Sequence, residues 1–87
     1  MEGEIFLVGK LRGTADLIID VPTVSRIHAR LEKRGDVYYI QDLNSKNGTR
    51  INKRELVGEE QVPLRVGDHV AFADAVYVFR QGSQEET

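Results

Sequence analysis

The sequence has no cysteine, which removes disulfide bridges and thiolate metal sites. Besides carboxylates, the only metal-prone side chains are His28 and His69, far apart in the chain. No apolar run is long enough to cross a membrane, and no secretory leader is recognisable. The expectation is therefore a soluble, cytoplasmic domain. Three Tyr and three Phe, not interleaved with basic residues, do not make a stacking surface for nucleic acid. A net charge of −2 argues against a nucleic-acid partner as well. A convincing helical stripe is missing too, as are internal repeats and any interdomain linker.

What remains is a chain of 87 residues, 40% hydrophobic, which fits one domain with one core. A domain this small buries only about 60–65% of the surface its unfolded form exposes, so its margin of stability is narrow. Val, Ile, Leu, Tyr and Phe supply most of the apolar content, a mixture that favours strands. Charge is unevenly spread. Ten of the twelve basic residues but only seven of the fourteen acidic ones fall in residues 1–54. The first part of the chain is thus locally positive, a field suited to a small anionic partner.

In order, residues 1–4 read as a frayed start. Ile5 to Val8 is a strand ending at Gly9, and Gly9 to Asp16 is a loop carrying Lys10 and Arg12. Leu17-Ile18-Ile19 is a second strand, broken by Asp20-Val21-Pro22-Thr23, since Pro22 cannot donate to a ladder. From Ile27 to Glu32 the pattern alternates: Ile27, Ala29 and Leu31 point one way, His28, Arg30 and Glu32 the other. A turn at Arg34-Gly35-Asp36 leads to a strand over Val37 to Asp42. Leu43 to Thr49 is a loop. A tight hairpin is expected at Asn52-Lys53-Arg54, where Asn52 tolerates the left-handed backbone. Val62, Leu64 and Val66 alternate up to a turn at Gly67-Asp68. Val70 to Phe72 and Val76 to Arg80 form a last hairpin through Asp74. The tail, residues 81–87, is polar and expected to be disordered. The fold class implied is all-β, a two-sheet antiparallel β-sandwich.

Two polar runs stand out: Ser25-Arg26-Ile27-His28-Ala29 and Asp42-Leu43-Asn44-Ser45-Lys46-Asn47-Gly48-Thr49. Each borders β-type sequence, and one hairpin lies between them. Strands that hold these loops side by side would let them grip an anion jointly.

With Gly9-Lys10, Asn52 and Leu64-Arg65-Val66-Gly67-Asp68, these runs resemble the forkhead-associated (FHA) domain, in order, over residues 5–80. The resemblance implies a β-sandwich whose loops at one end bind phosphothreonine peptides, without catalysis and without a cofactor. By the same resemblance, Ser25 donates its hydroxyl to the phosphate and Lys10 supplies charge. Lys46 adds its backbone N–H and ammonium, Asn47 binds the peptide main chain, and Arg26 contributes charge. Gly9, His28, Gly48 and Thr49 shape the site, with His28 bracing the loops from the polar side of its strand. Three positions depart from the family. Lys10 stands where Arg is usual, giving a compact charge instead of a planar fork. Lys53 stands where Gly commonly follows the hairpin Asn. One more strand usually precedes Ile5; its absence suggests either the C-terminal module of a longer, multidomain protein or a trimmed domain, and in both cases a sheet edge open to pairing.

A phosphothreonine carries nearly two negative charges at neutral pH, so the expected partner is a phosphothreonine-containing protein or peptide. Binding should fade below about pH 6, where the phosphate loses its second charge. Other readings compete. The same sandwich could serve as a phosphate-independent interaction module. Ser25, His28 and Asp42 could be read as a hydrolase triad, but residues three apart on an extended segment face opposite ways, and the Gly-x-Ser-x-Gly elbow is missing.

Overall fold

The computed structural model describes residues 4–80; residues 1–3 of the frayed start expected over 1–4 and the expected tail at 81–87 lie outside them, while Glu4 opens the first strand. Nine strands run in order: β1 (Glu4–Gly9), β2 (Leu17–Ile18), β3 (Ala29–Arg34), β4 (Val37–Asp42), β5 (Thr49–Ile51), β6 (Arg54–Glu55), β7 (Val62–Leu64), β8 (His69–Phe72) and β9 (Ala75–Val78). They form a five-stranded sheet of order β2-β1-β3-β4-β7 and a four-stranded sheet of order β6-β5-β8-β9. This is the β-sandwich expected. No helix occurs among the described residues, so none is long and apolar enough to cross a membrane.

Alternation puts one face of each sheet in the core. Val8, Ala29, Ile40 and Leu64 from the larger sheet pack with Ile51, Val70 and Phe72 from the smaller. Arg30, Glu32 and Arg34 face outward, and the Glu32 carboxylate takes both guanidiniums at 3.1 Å. The register that produces this pairs Val8 with Ala29, and Ala29 in turn with Asp42.

All pairings are antiparallel except β1 with β2, which are parallel through Val8–Leu17 and Gly9–Ile18. The Lys10–Asp16 connection is too short for a helical crossover, and the pairing stops after two residues. Asp16 closes it: its N–H donates to Leu7 O at 2.7 Å, and its carboxylate accepts the Leu7 N–H at 2.8 Å.

The Asn52-Lys53 hairpin has both central residues at positive φ, 50° and 74°, the backbone of a type I′ turn. The alternation read through Val66 ends at Leu64. Val66 is 64% exposed, because the chain turns at Arg65, whose N–H and C=O both bond to Asp68 at 2.8 and 3.0 Å.

His28 departs most from the sequence reading. It does not lie on the polar side of its strand. It precedes β3, and its side chain is fully buried. Two main-chain groups, Ser25 N–H and Gly48 C=O, meet its ring nitrogens. An imidazole satisfied at both nitrogens can be buried at little cost.

Candidate functional site

The site grows from the end of β1. Gly9 is buried and leaves no room for a side chain: a Cβ would stand 2.0 Å from the Arg26 carbonyl oxygen. That close approach lets the next two amides reach across. Lys10 N–H donates to Ser25 O and Leu11 N–H to Arg26 O, both at 3.1 Å. Val24, almost wholly buried, anchors the same loop and delivers Ser25 to the rim.

The second loop, residues 43–48, wraps around Asp42. The Asp42 carboxylate accepts the Ser45 hydroxyl at 2.6 Å, the Ser45 N–H at 3.0 Å and the Thr49 hydroxyl at 2.6 Å. Ser45 Oγ in turn accepts the Gly48 N–H at 2.9 Å. Burial alone pushes the Asp42 carboxyl up. The hydroxyls of Ser45 and Thr49 and the Ser45 N–H all favour the charged form, and together they hold it below the usual carboxylate range. Thr49 is fully buried, and Gly48 takes φ 88°, a conformation open to glycine.

Three contacts join the loops. Lys46 N–H donates to Ser25 Oγ at 3.0 Å. Asn47 Nδ2–H donates to Thr23 O at 2.7 Å. Between them lies the His28 ring. Nδ1 accepts the Ser25 N–H at 3.1 Å, so the proton sits on Nε2, which donates to Gly48 O at 2.8 Å. The ring stands edge-on to Phe72, with centroids 5.8 Å apart. Ser25 and Asn47, distant in sequence, thus share one rim. Lys10 joins them, its ammonium 3.4 Å from Pro22 O. Arg26 and Lys46 lie on the two loops and are exposed. Ser25 Oγ accepts one hydrogen bond and keeps its own proton to donate. Asn47 keeps one N–H and its carbonyl. The result is a set of hydroxyl, amide and cationic donors fit for a small anion attached to a main chain.

The FHA-domain profile matches residues 6–73. The chain belongs to the FHA-domain family. Among its relatives is the oxoglutarate dehydrogenase inhibitor of Corynebacterium jeikeium, 35% identical over 71 residues, covering 82% of this chain and 47% of that protein. The transcriptional regulatory protein EmbR of Mycobacterium tuberculosis is 33% identical over 73 residues, covering 84% of this chain and 18% of EmbR. This FHA domain therefore spans less than half the length of either relative. Among solved structures, that of M. tuberculosis EmbR in complex with a low-affinity phosphopeptide superposes with a TM-score of 0.81 at 29% identity, covering 95% of this chain and 21% of that one. The FHA domain of CT664 from Chlamydia trachomatis superposes with a TM-score of 0.79 at 29% identity, covering 90% and 77%.

The hydrolase wiring is not made in this FHA domain. Both ring nitrogens of His28 are committed to main-chain groups, which leaves none to take the Ser25 hydroxyl proton. Asp42 holds Ser45 and Thr49 rather than orienting the ring. Sequence reasoning passed over Asp42 and Ser45 as the frame of the second loop, although an acid three residues before a serine is a known local bonding pattern. It also passed over Thr23, whose carbonyl is distinguished only by the contact it makes.

Proposed function

We propose that this FHA domain is a non-enzymatic reader that binds phosphothreonine-containing segments of Ser/Thr-kinase substrates, as one module of a longer cytoplasmic protein. The observation that carries the reading is the Lys46 N–H···Oγ Ser25 contact at 3.0 Å, with Asn47 one residue on. Hydroxyl, backbone amide and carboxamide are brought to one rim from two loops. In this reading the phosphate is held by the Ser25 hydroxyl and the charges of Lys10, Lys46 and Arg26, with the Lys46 N–H, donated to Ser25 Oγ, orienting that hydroxyl. Asn47 holds the ligand main chain with its remaining N–H and carbonyl. Gly9, His28, Gly48 and Thr49 hold the loops in place. The EmbR complex with a phosphopeptide supports the ligand class. Lys10 offers a point charge without a fork, consistent with affinity near micromolar, about −8 kcal/mol.

The test is a matched pair of peptides, phosphorylated and unphosphorylated on the same threonine, titrated calorimetrically. Phosphorylation is expected to tighten binding at least tenfold, and Ser25→Ala and Asn47→Ala are each expected to remove most of that gain in proteins that remain folded. Equal affinity for both peptides would overturn the reading in favour of a phosphate-independent interaction module.

A further inference from the structure

The rim of the site also carries unneutralised negative charge. Thr23, whose carbonyl holds Asn47, donates its hydroxyl to the Asp74 carboxylate in the β8–β9 turn. That turn is tied to the second loop, since Ala73 N–H donates to Gly48 O at 2.9 Å. Arg50 fastens it further through a 2.7 Å bond from Nη2 to Ala73 O. On the other side of Gly48 lies Glu55, whose Oε2 is 2.7 Å from where a Gly48 Cβ would be. Asp74 and Glu55 are both exposed. Neither forms an ion pair with another described residue, and the same holds for Lys10, Arg26 and Lys46. A carboxylate offers about four acceptor positions, and Thr23 occupies one of those on Asp74.

The rim is therefore polarised. Cations accompany Ser25 and the Lys46 N–H, where an anion would sit; carboxylates accompany Thr23 and Gly48. Thr23 and Ser25 are separated by at most about 7 Å of chain. A long side chain two or three residues from the anion can cross that distance. We propose that Asp74, seconded by Glu55, makes this site select phosphothreonine segments bearing a Lys or Arg within about three positions of the phosphorylated residue. The proposal rests on the phosphothreonine reading and adds the charge pattern of the partner. The complementary ligand is a zwitterionic stretch, a dianion and a cation side by side; a phosphothreonine flanked by acids meets repulsion at the same carboxylates.

The experiment uses phosphothreonine peptides with alanine flanks, in which one Lys is walked from three positions before the phosphothreonine to three after. The readout is the ratio of affinities, Lys peptide over all-alanine peptide, for each protein. On one flank that ratio is expected to reach about two- to fivefold at low salt, the range of an exposed ion pair, and to shrink at high salt. Asp74→Asn keeps an oxygen for the Thr23 hydroxyl but removes the charge. It should bring the ratio close to one, with Glu55→Gln lowering it less. A ratio near one at every position in the parent, or one that persists in the Asp74→Asn/Glu55→Gln double variant, overturns the proposal. If the all-alanine phosphopeptide binds no better than its unphosphorylated twin, the phosphothreonine reading falls and this proposal with it.

Discussion

Replacing His28 by Phe keeps a ring of similar size among Phe72 and the loops but removes both nitrogens. The Ser25 N–H, bonded to the ring at 3.1 Å, then loses its partner where the side chain has no exposure, and the Gly48 carbonyl loses its 2.8 Å bond from the ring while keeping the one from Ala73 N–H at 2.9 Å. An orphaned buried polar group costs about 1–3 kcal/mol. The orphaned Ser25 N–H and the single bond lost at Gly48 O should together cost roughly 2 kcal/mol. A domain of this length has on the order of 4–13 kcal/mol of total stability, so the loss is a sizeable share of it. At about 4–8 °C per kcal/mol, the melting temperature should drop by roughly 8–16 °C. Urea unfolding of the parent and the His28→Phe protein measures the difference. His28→Ala adds a cavity and should be worse still. Stability of the Phe variant within about 0.5 kcal/mol of the parent, the scatter of ordinary surface substitutions, would refute the argument. The ring would then be filler, and the loops would be joined by something else.

Other outcomes follow from the same geometry. Gly9→Ala sets a methyl 2.0 Å from the Arg26 carbonyl oxygen and strains two amide bonds; overpacking and lost bonding should cost about 2–4 kcal/mol by urea unfolding. Lys53 sits at φ 74°, so Lys53→Gly relieves left-handed strain. After the entropy of the added glycine is offset, it should gain roughly 0.5 kcal/mol, read as a small rise in melting temperature. The Asp42 carboxyl is held below its usual range. Its contribution is therefore complete above the unfolded value near 3.9 and is lost as pH falls through the lower folded value. Urea midpoints at several pH values should show Asp42→Asn less stable than the parent at pH 7, with the gap closing towards pH 3. Lys10→Arg restores a planar fork beside Pro22 and should bind a phosphothreonine peptide as tightly as the parent or tighter by titration calorimetry; a large loss would mean that Lys10 does not face the phosphate.

The parts of the fold that local rules govern were legible in the sequence. Asn52 before Lys53 marked the hairpin, Gly67-Asp68 a turn, and the alternation of Ala29, Arg30, Leu31 and Glu32 the inner and outer faces of β3. The parts that depend on a distant partner were not. His28 read as outward because period-two counting cannot see the Gly48 carbonyl waiting for it twenty residues on. Asp42 read as a strand end, although its carboxylate organises the following loop. Val66 fitted the apolar alternation, but the bonds between Arg65 and Asp68 decide where the strand stops. The pairing of β1 with β2 depends on Asp16 reaching back to Leu7. At the site, the order of the motifs put the candidate residues forward; their meeting on one rim is a fact of packing, to which Gly9, Val24 and Phe72 contribute.

The cross-links between the two loops have a kinetic consequence. Ser25 is tied to Lys46, Thr23 to Asn47, and both loops to one imidazole, so arrival of a partner requires no segment to order itself and no flap to shut. Capture then proceeds at ordinary encounter rates, about 10⁵–10⁷ M⁻¹s⁻¹. At micromolar strength this gives residence times on the order of 0.1–10 seconds. On the phosphothreonine reading proposed above, such a module keeps no memory of a mark once it is erased and follows the balance of kinase and phosphatase almost as it changes.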